Sequence, residues 1–187
     1  DRFARGEEAD LSPKARHGLE IFLNEGKCLG CHGGPEFAGA TVSRTRSLHA
    51  KHGVIELMAG GHGPVLYDSG FYNIGVRPST EDLGIGNSHP KYGPLSYVMQ
   101  ERLGKNPDPR ITVGYSQRLA VNGAFKAPSL RNVELTGPFM HNGGMKSLRE
   151  VVQFYSRGGN FPRENAQDLA PEIHEIPALQ KHPEKID

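Results

Sequence analysis

Between Gly26 and Gly33 the chain reads Cys28-Leu29-Gly30-Cys31-His32, a C-x-x-C-H that uses both cysteines in the sequence. Two thiols three positions apart, followed at once by an imidazole, form the signature of c-type haem attachment. Each cysteine can form a thioether to one haem vinyl group, which places His32 beneath the iron. Other uses of the pair fit less well. A disulfide leaves His32 without a role. A thioredoxin-like redox pair needs a βαβ setting, and no such pattern surrounds the motif. A zinc knuckle needs further ligands, and there are no more cysteines.

The rest of the composition suits a chain that borrows part of its core. Of 187 residues, 36% are hydrophobic and only 7% aromatic, with no tryptophan, so a haem macrocycle supplies apolar surface that the sequence lacks. The 24 glycines and 14 prolines predict much turn and loop. A helix is expected over Leu11–Glu25, with Ser12 as N-cap and Pro13 at its first position, and with Ala15, Leu19, Phe22 and Leu23 on one face. Ser147–Arg157 is the best-marked helix. Ser147 and Glu150 make a capping box, Leu148, Val151, Val152 and Tyr155 form a buried stripe, and Gly158 and Gly159 stop it. Shorter helices are expected near Val54–Met58, Ser96–Leu103 and Pro128–Leu135. No strand shows convincing alternation. The expected fold is therefore all-α, one cytochrome c-like domain over 1–187 with long Gly/Pro-rich loops around one haem.

Charge excludes one class of partner. With 22 basic and 21 acidic residues the net charge is +1, and no basic block reads as a nucleic-acid stripe. No apolar run reaches the roughly 18–20 residues of a membrane span. The chain starts at Asp1 without methionine or signal peptide, which fits a processed chain or a fragment. Thioether attachment takes place on the outer side of an energised membrane, so a periplasmic location is expected.

Residues 125–159 read F-K-A-P-S-L-R-N-V-E-L-T-G-P-F-M-H-N-G-G-M-K-S-L-R-E-V-V-Q-F-Y-S-R-G-G. The L-R-N…T-x-P-x-x-H-x-G…L-x-E-x-V string resembles the C-terminal haem domain of the bacterial di-haem cytochrome c peroxidase/MauG family. Leu11–Phe37 around the C-x-x-C-H and the run Phe71-Tyr72-Asn73-Ile74-Gly75-Val76 agree with it. The resemblance implies two cytochrome c-like helical domains, each with one haem, and a calcium ion between them. Peroxide reacts at the N-terminal haem, and the C-terminal haem exchanges electrons with an outside donor or substrate. This sequence holds one haem motif and stops where family members run on into a last helix. The expectation is thus a C-terminal half whose partner is an N-terminal haem domain or chain.

The same resemblance assigns residues. The second axial position, a methionine in the peroxidases and a tyrosine in MauG, falls on Tyr155. Met140 and Met145 compete for it, and Met58 and Met99 read as packing residues. The choice matters because a thioether favours ferrous iron, whereas an anionic phenolate favours the ferric state. By resemblance, the backbone carbonyls of Thr136 and Pro138 bind calcium, Arg131 pairs with a haem propionate, and His141 lies near the haem. Beyond the resemblance, His49, His52 and His62 read as solvated loop residues. Two functions remain open. One is the electron-handling domain of a peroxidase that uses hydrogen peroxide at a partner haem to oxidise an external protein or cytochrome. The other is a stand-alone mono-haem electron carrier.

Overall fold

The computed structural model describes residues 5–6, 11–43, 54–60, 63–87, 89, 91–105 and 112–174. Helix α1 covers Pro13–Leu23 and α2 is a single turn, Cys28–Cys31. Strands β1 (Ile55–Gly60), β2 (Gly63–Asp68) and β3 (Phe71–Tyr72) follow, then α3 (Tyr97–Arg102), β4 (Arg118–Leu119) and β5 (Phe125–Lys126). A 3₁₀ turn at Val133–Leu135 precedes α4 (Leu148–Ser156) and α5 (Pro171–His174). The all-α expectation is therefore wrong. The helices are short, and the strands form two sheets, one ordered β1-β2-β4 and one pairing β3 with β5.

The central strand shows no polar–apolar alternation because both faces of β2 are covered. Along β2, Val65 and Tyr67 enter one apolar cluster with Met58, Tyr72 and Leu169, while Leu66 between them enters another with Ile55 and Val98. A strand buried on both sides reads as a continuous apolar run, not as an alternation. Strand β1 buries Ile55 and Met58 in different clusters but leaves Leu57 exposed, and it replaces the helix expected over Val54–Met58. It pairs antiparallel with β2, from Ile55↔Asp68 to Gly60↔Gly63. Over Pro128–Leu135 only the 3₁₀ turn at Val133–Leu135 forms.

Helix α3 shows why Asp68, at the end of β2, can be buried. Its carboxylate accepts the Ser96 hydroxyl at 2.6 Å and the backbone N–H groups of Tyr97 at 2.6 Å and Val98 at 3.3 Å, so it caps the first turn of the helix. Burial raises the Asp68 pKa above the ordinary carboxylate value, against the pull of these hydrogen bonds. Replacing it with Ala strands the donors and is expected to cost about 1–3 kcal/mol in denaturant unfolding. The pH dependence has a definite sign. A raised folded pKa means that this group's contribution is full below about pH 3.9 and falls as pH rises through the folded value. Asp68→Asn removes that slope and is expected to keep most of the capping, which unfolding curves at several pH values will show.

The two best-marked helices form nearly where expected. Ser12 accepts a hydrogen bond from the Ala15 N–H at 3.2 Å at the start of α1. At α4, Ser147 accepts from the Glu150 N–H at 3.2 Å, while the Glu150 carboxylate reaches the Lys146 N–H at 2.7 Å, one residue earlier than the usual capping box. The buried face of α4 is rotated from the expected stripe. Phe154 is fully buried in a cluster with Val76 and Met145, and Val151 and Tyr155 pack against it. Leu148 and Val152, on the stripe that carries Tyr155, are 37% and 38% exposed. Helix α1 buries none of its residues, and Leu23 is 44% exposed.

Candidate metal centre

The C-x-x-C-H motif is set by the chain on either side of it. After α1, Gly26 turns back so closely that its N–H donates to the Ile21 carbonyl at 2.7 Å. A Cβ on Gly26 would stand 2.9 Å from that oxygen and 3.1 Å from the Cys28 Sγ, so glycine is needed for this approach. Lys27 adopts a left-handed conformation, and the single turn α2 begins. It closes with the His32 N–H on the Cys28 carbonyl at 2.9 Å. Neither cysteine is in a disulfide, and both are half-buried at the two ends of this turn. Burial raises the Cys28 pKa, with a backbone hydrogen bond opposing it.

His32 is held by its Nδ1. That atom lies 3.2 Å from the Phe37 carbonyl and 3.2 Å from the Pro128 carbonyl. Carbonyls only accept, so Nδ1 carries the hydrogen and Nε2 keeps its lone pair. This is the tautomer a metal-ligating histidine uses, with the outer nitrogen oriented by backbone oxygen. Burial lowers the His32 pKa, and the two carbonyls oppose that shift. The neutral ring is thereby favoured.

The segment around Pro128 is clasped onto the loop after His32. Ser129 donates to the Glu36 carbonyl at 2.7 Å, and the Arg131 Nε donates to the Pro35 carbonyl at 2.8 Å. The Arg131 guanidinium also lies 6.0 Å from the Phe37 ring centre. Phe37 in turn meets Phe22 of α1 edge-on at 6.3 Å. The L-R-N part of the second motif thus packs against the C-x-x-C-H loop, 96 residues away in sequence at Pro128.

Tyr155 belongs to the same neighbourhood. It is partly buried and packs with Cys31 against the larger apolar cluster. Burial, then the charges of the nearby Cys31 and Cys28 thiols, push its phenol well above the ordinary value. Met145 is buried in the adjoining cluster with Phe154, and Met140 lies at its edge. Met58 is buried, and Met99 packs against the second cluster.

The remaining expected residues lie elsewhere. His141 Nε2 is 2.7 Å from the Asp82 carboxylate, and its ring stacks on Phe125 at 3.5 Å, 8° from parallel. Nothing in the sequence pointed to Asp82 or Phe125 as its partners. Thr136 is exposed and its hydroxyl donates to the Val133 carbonyl at 3.0 Å, while Pro138 lies beneath Gly143. Among the described residues no group of three or more His, Cys, Asp or Glu could hold a metal ion. His49, His52 and His62 lie outside the described residues. Among the described residues no helix is long and apolar enough to cross a membrane.

These features fit a c-type haem. The two thiols flank one turn, the adjacent imidazole keeps the lone pair on Nε2, and a tyrosine lies close enough to feel the charge of both thiols. The apolar stripes of α1 and of α4 at Leu148 and Val152 are incompletely buried, as expected of faces that meet a macrocycle.

No protein-family model matches the chain. The cytochrome-c peroxidase IdrP1 of Denitromonas iodatirespirans is 31% identical over 175 residues, which cover 91% of this chain and 39% of that protein. The methylamine utilization protein MauG of Paracoccus denitrificans is 31% identical over 160 residues, covering 84% of this chain and 31% of that protein. Among solved structures, a MauG-like protein associated with microbial copper homeostasis aligns with a TM-score of 0.48 and 25% identity over 96% of this chain and 46% of its own. The chain spans between three-tenths and four-tenths of the length of the curated relatives described here. Peroxidases and MauG proteins match along nearly all of it, and the chain belongs to the di-haem cytochrome c peroxidase/MauG family.

Proposed function

We propose that this chain is the electron-transferring haem c domain of a MauG-like or di-haem cytochrome c peroxidase. The observation that carries the reading is His32, whose Nδ1 is tied to two backbone carbonyls directly after two cysteines that form no disulfide. Cys28 and Cys31 would form the thioethers, and His32 would hold one axial position of the iron. Tyr155 would hold the other, supported by its packing on the same apolar cluster as Cys31 and by the influence of both thiols on its phenol. A c-type haem supplies one-electron redox chemistry at its iron. The chain's own part is to exclude water with the cluster around Tyr67 and Leu169, to keep His32 neutral and to fix its ring. Arg131, on the loop beside His32, would offset propionate charge, and His141 would stay fixed by Asp82 and Phe125.

The reading extends to the parts of the protein beyond this chain. A second haem, on an N-terminal domain or separate chain, would react with hydrogen peroxide. Electrons would come through this domain from a donor cytochrome or a protein substrate in the periplasm. Thr136 and Pro138 would offer carbonyl oxygens to a calcium ion between the domains, since calcium takes such ligands. The experiment is to mix the intact parent protein with peroxide and a reduced cytochrome and follow donor oxidation by stopped flow. Donor oxidation that depends on peroxide is expected. A parent with one haem and no peroxide-dependent turnover would support the alternative, a stand-alone electron carrier.

A further inference from the structure

Two tyrosines and a carboxylate run from the motif toward the edge of the larger sheet. Tyr72 on β3 and Tyr67 on β2 are both buried, with ring centres 5.5 Å apart. The Tyr72 hydroxyl lies at Gly39, 3.5 Å from where a Cβ there would stand. The same position is 2.8 Å from the Cys31 carbonyl, so the phenol end of Tyr72 borders the C-x-x-C-H turn. At the other end, Tyr67 donates a short hydrogen bond to Glu56 Oε2, and the Ser69 hydroxyl donates to Glu56 Oε1 at 2.8 Å. Glu56 sits directly opposite Tyr67 across the β1–β2 pair and is partly exposed, on a strand at the sheet edge.

From this geometry we propose that Tyr72, Tyr67 and Glu56 form a redox relay in which Tyr67 is oxidised by one electron and passes its proton to Glu56. The inference rests on the haem reading of the preceding section. The oxidant is a peroxide-derived oxidising equivalent at the haem held by Cys28, Cys31 and His32. It gains one electron, drawn from Tyr67 across the Tyr72 ring. The phenolic O–H bond of Tyr67 breaks, its proton moves to Glu56 Oε2, and the products are a neutral tyrosyl radical and a carboxylic acid. A later electron from an outside donor, with return of the proton, restores the pair.

Three observations favour this over a purely structural cross-strand bond. Burial and the facing Glu56 carboxylate push the Tyr67 phenol far above its usual range, with Tyr72 and Glu172 adding to the shift. The proton is therefore still on the ring at neutral pH and has to leave with the electron. Its acceptor is already hydrogen-bonded, so no motion precedes transfer. Glu56 is itself partly exposed, so a proton can pass from it to water, whereas the rings stay in a dry cluster where a radical is shielded.

The test uses the intact haem-loaded parent protein, with covalent haem first measured by pyridine haemochrome. Peroxide is added, and the sample is freeze-quenched for electron paramagnetic resonance. A tyrosyl radical signal is expected in the wild type, lost in Tyr67→Phe and weakened in Glu56→Gln, which keeps a hydrogen-bond acceptor but takes no proton. Melting curves of both variants check folding, and Tyr72→Phe keeps the ring while removing only a hydroxyl. The inference is overturned if haem is present and no tyrosyl radical forms, or if its signal persists in Tyr67→Phe, which would place the radical on another tyrosine. Absence of covalent haem would instead overturn the site reading on which the relay depends.

Discussion

The double variant Cys28→Ala/Cys31→Ala is expected to carry no haem that survives denaturation. In a haem-stained denaturing gel the wild-type band stains and the variant band does not. The effect reaches beyond the bond itself. Helix α1 has 11 residues, none of them buried, and isolated helices shorter than about 12–15 residues are marginal in water. Without a macrocycle against its apolar stripe, α1 is held among the described residues by the Phe22–Phe37 contact, the Gly26 turn and its packing on the short α2 turn. The variant is therefore expected to lose helical circular dichroism and to be cut by proteases within Pro13–Leu23, while the β1–β2 sheet stays protected. Covalent haem remaining in the double variant would remove the thioether assignment.

Tyr155 is the position where a single substitution is expected to change the redox chemistry most. If its phenolate is the second iron ligand, Tyr155→Met exchanges an anion for a neutral thioether in a poorly solvated site. A unit charge at about 4 Å and an effective dielectric of about 20 contributes about 4 kcal/mol, so the potential should rise by about 0.2 V for one electron. Tyr155→Phe removes the ligand outright and should alter the ferric spectrum as well. Both replacements suit the helix, because methionine is a good helix former and phenylalanine keeps the ring. Potentiometric titration with optical detection measures both effects. A ferric spectrum and potential unmoved in both variants would show a packing tyrosine, and the preference for a MauG-like reading over a peroxidase with methionine would go with it.

The C-x-x-C-H was legible as a motif because it is written in residue type, and the L-R-N…H-x-G string marks the segment that packs on the loop after it. What holds His32 was not legible, because the groups are the carbonyls of Phe37 and Pro128, and a backbone oxygen leaves no trace in residue identity. The need for glycine at 26 and 39, where a Cβ would strike Ile21 or Cys31 oxygens, was equally hidden among the 24 glycines. Two-sided burial hid the fold class. Val65, Leu66 and Tyr67 are buried in turn on opposite faces of β2, so the period of two that marks a strand never appears in polarity. On α4 the capping residues were found but the face was off, since Phe154 and not Leu148 centres the buried side.

The Pro128 carbonyl on His32 also sets an order of events during maturation. A hydrogen bond that bridges 96 residues forms only after a long loop has closed, whereas the Phe37 bond bridges five and can form at once. Haem joined to Cys28 and Cys31 on an unfolded chain would meet a His32 ring steadied from one side only. The chain holds eight other histidines, and any of them within reach of the open axial position could be captured before the proposed ligand Tyr155 arrives. Such wrong partners must dissociate before folding can finish, so slow refolding phases that speed up below the pKa of free histidine, about 6.5, are the expected mark of this chain.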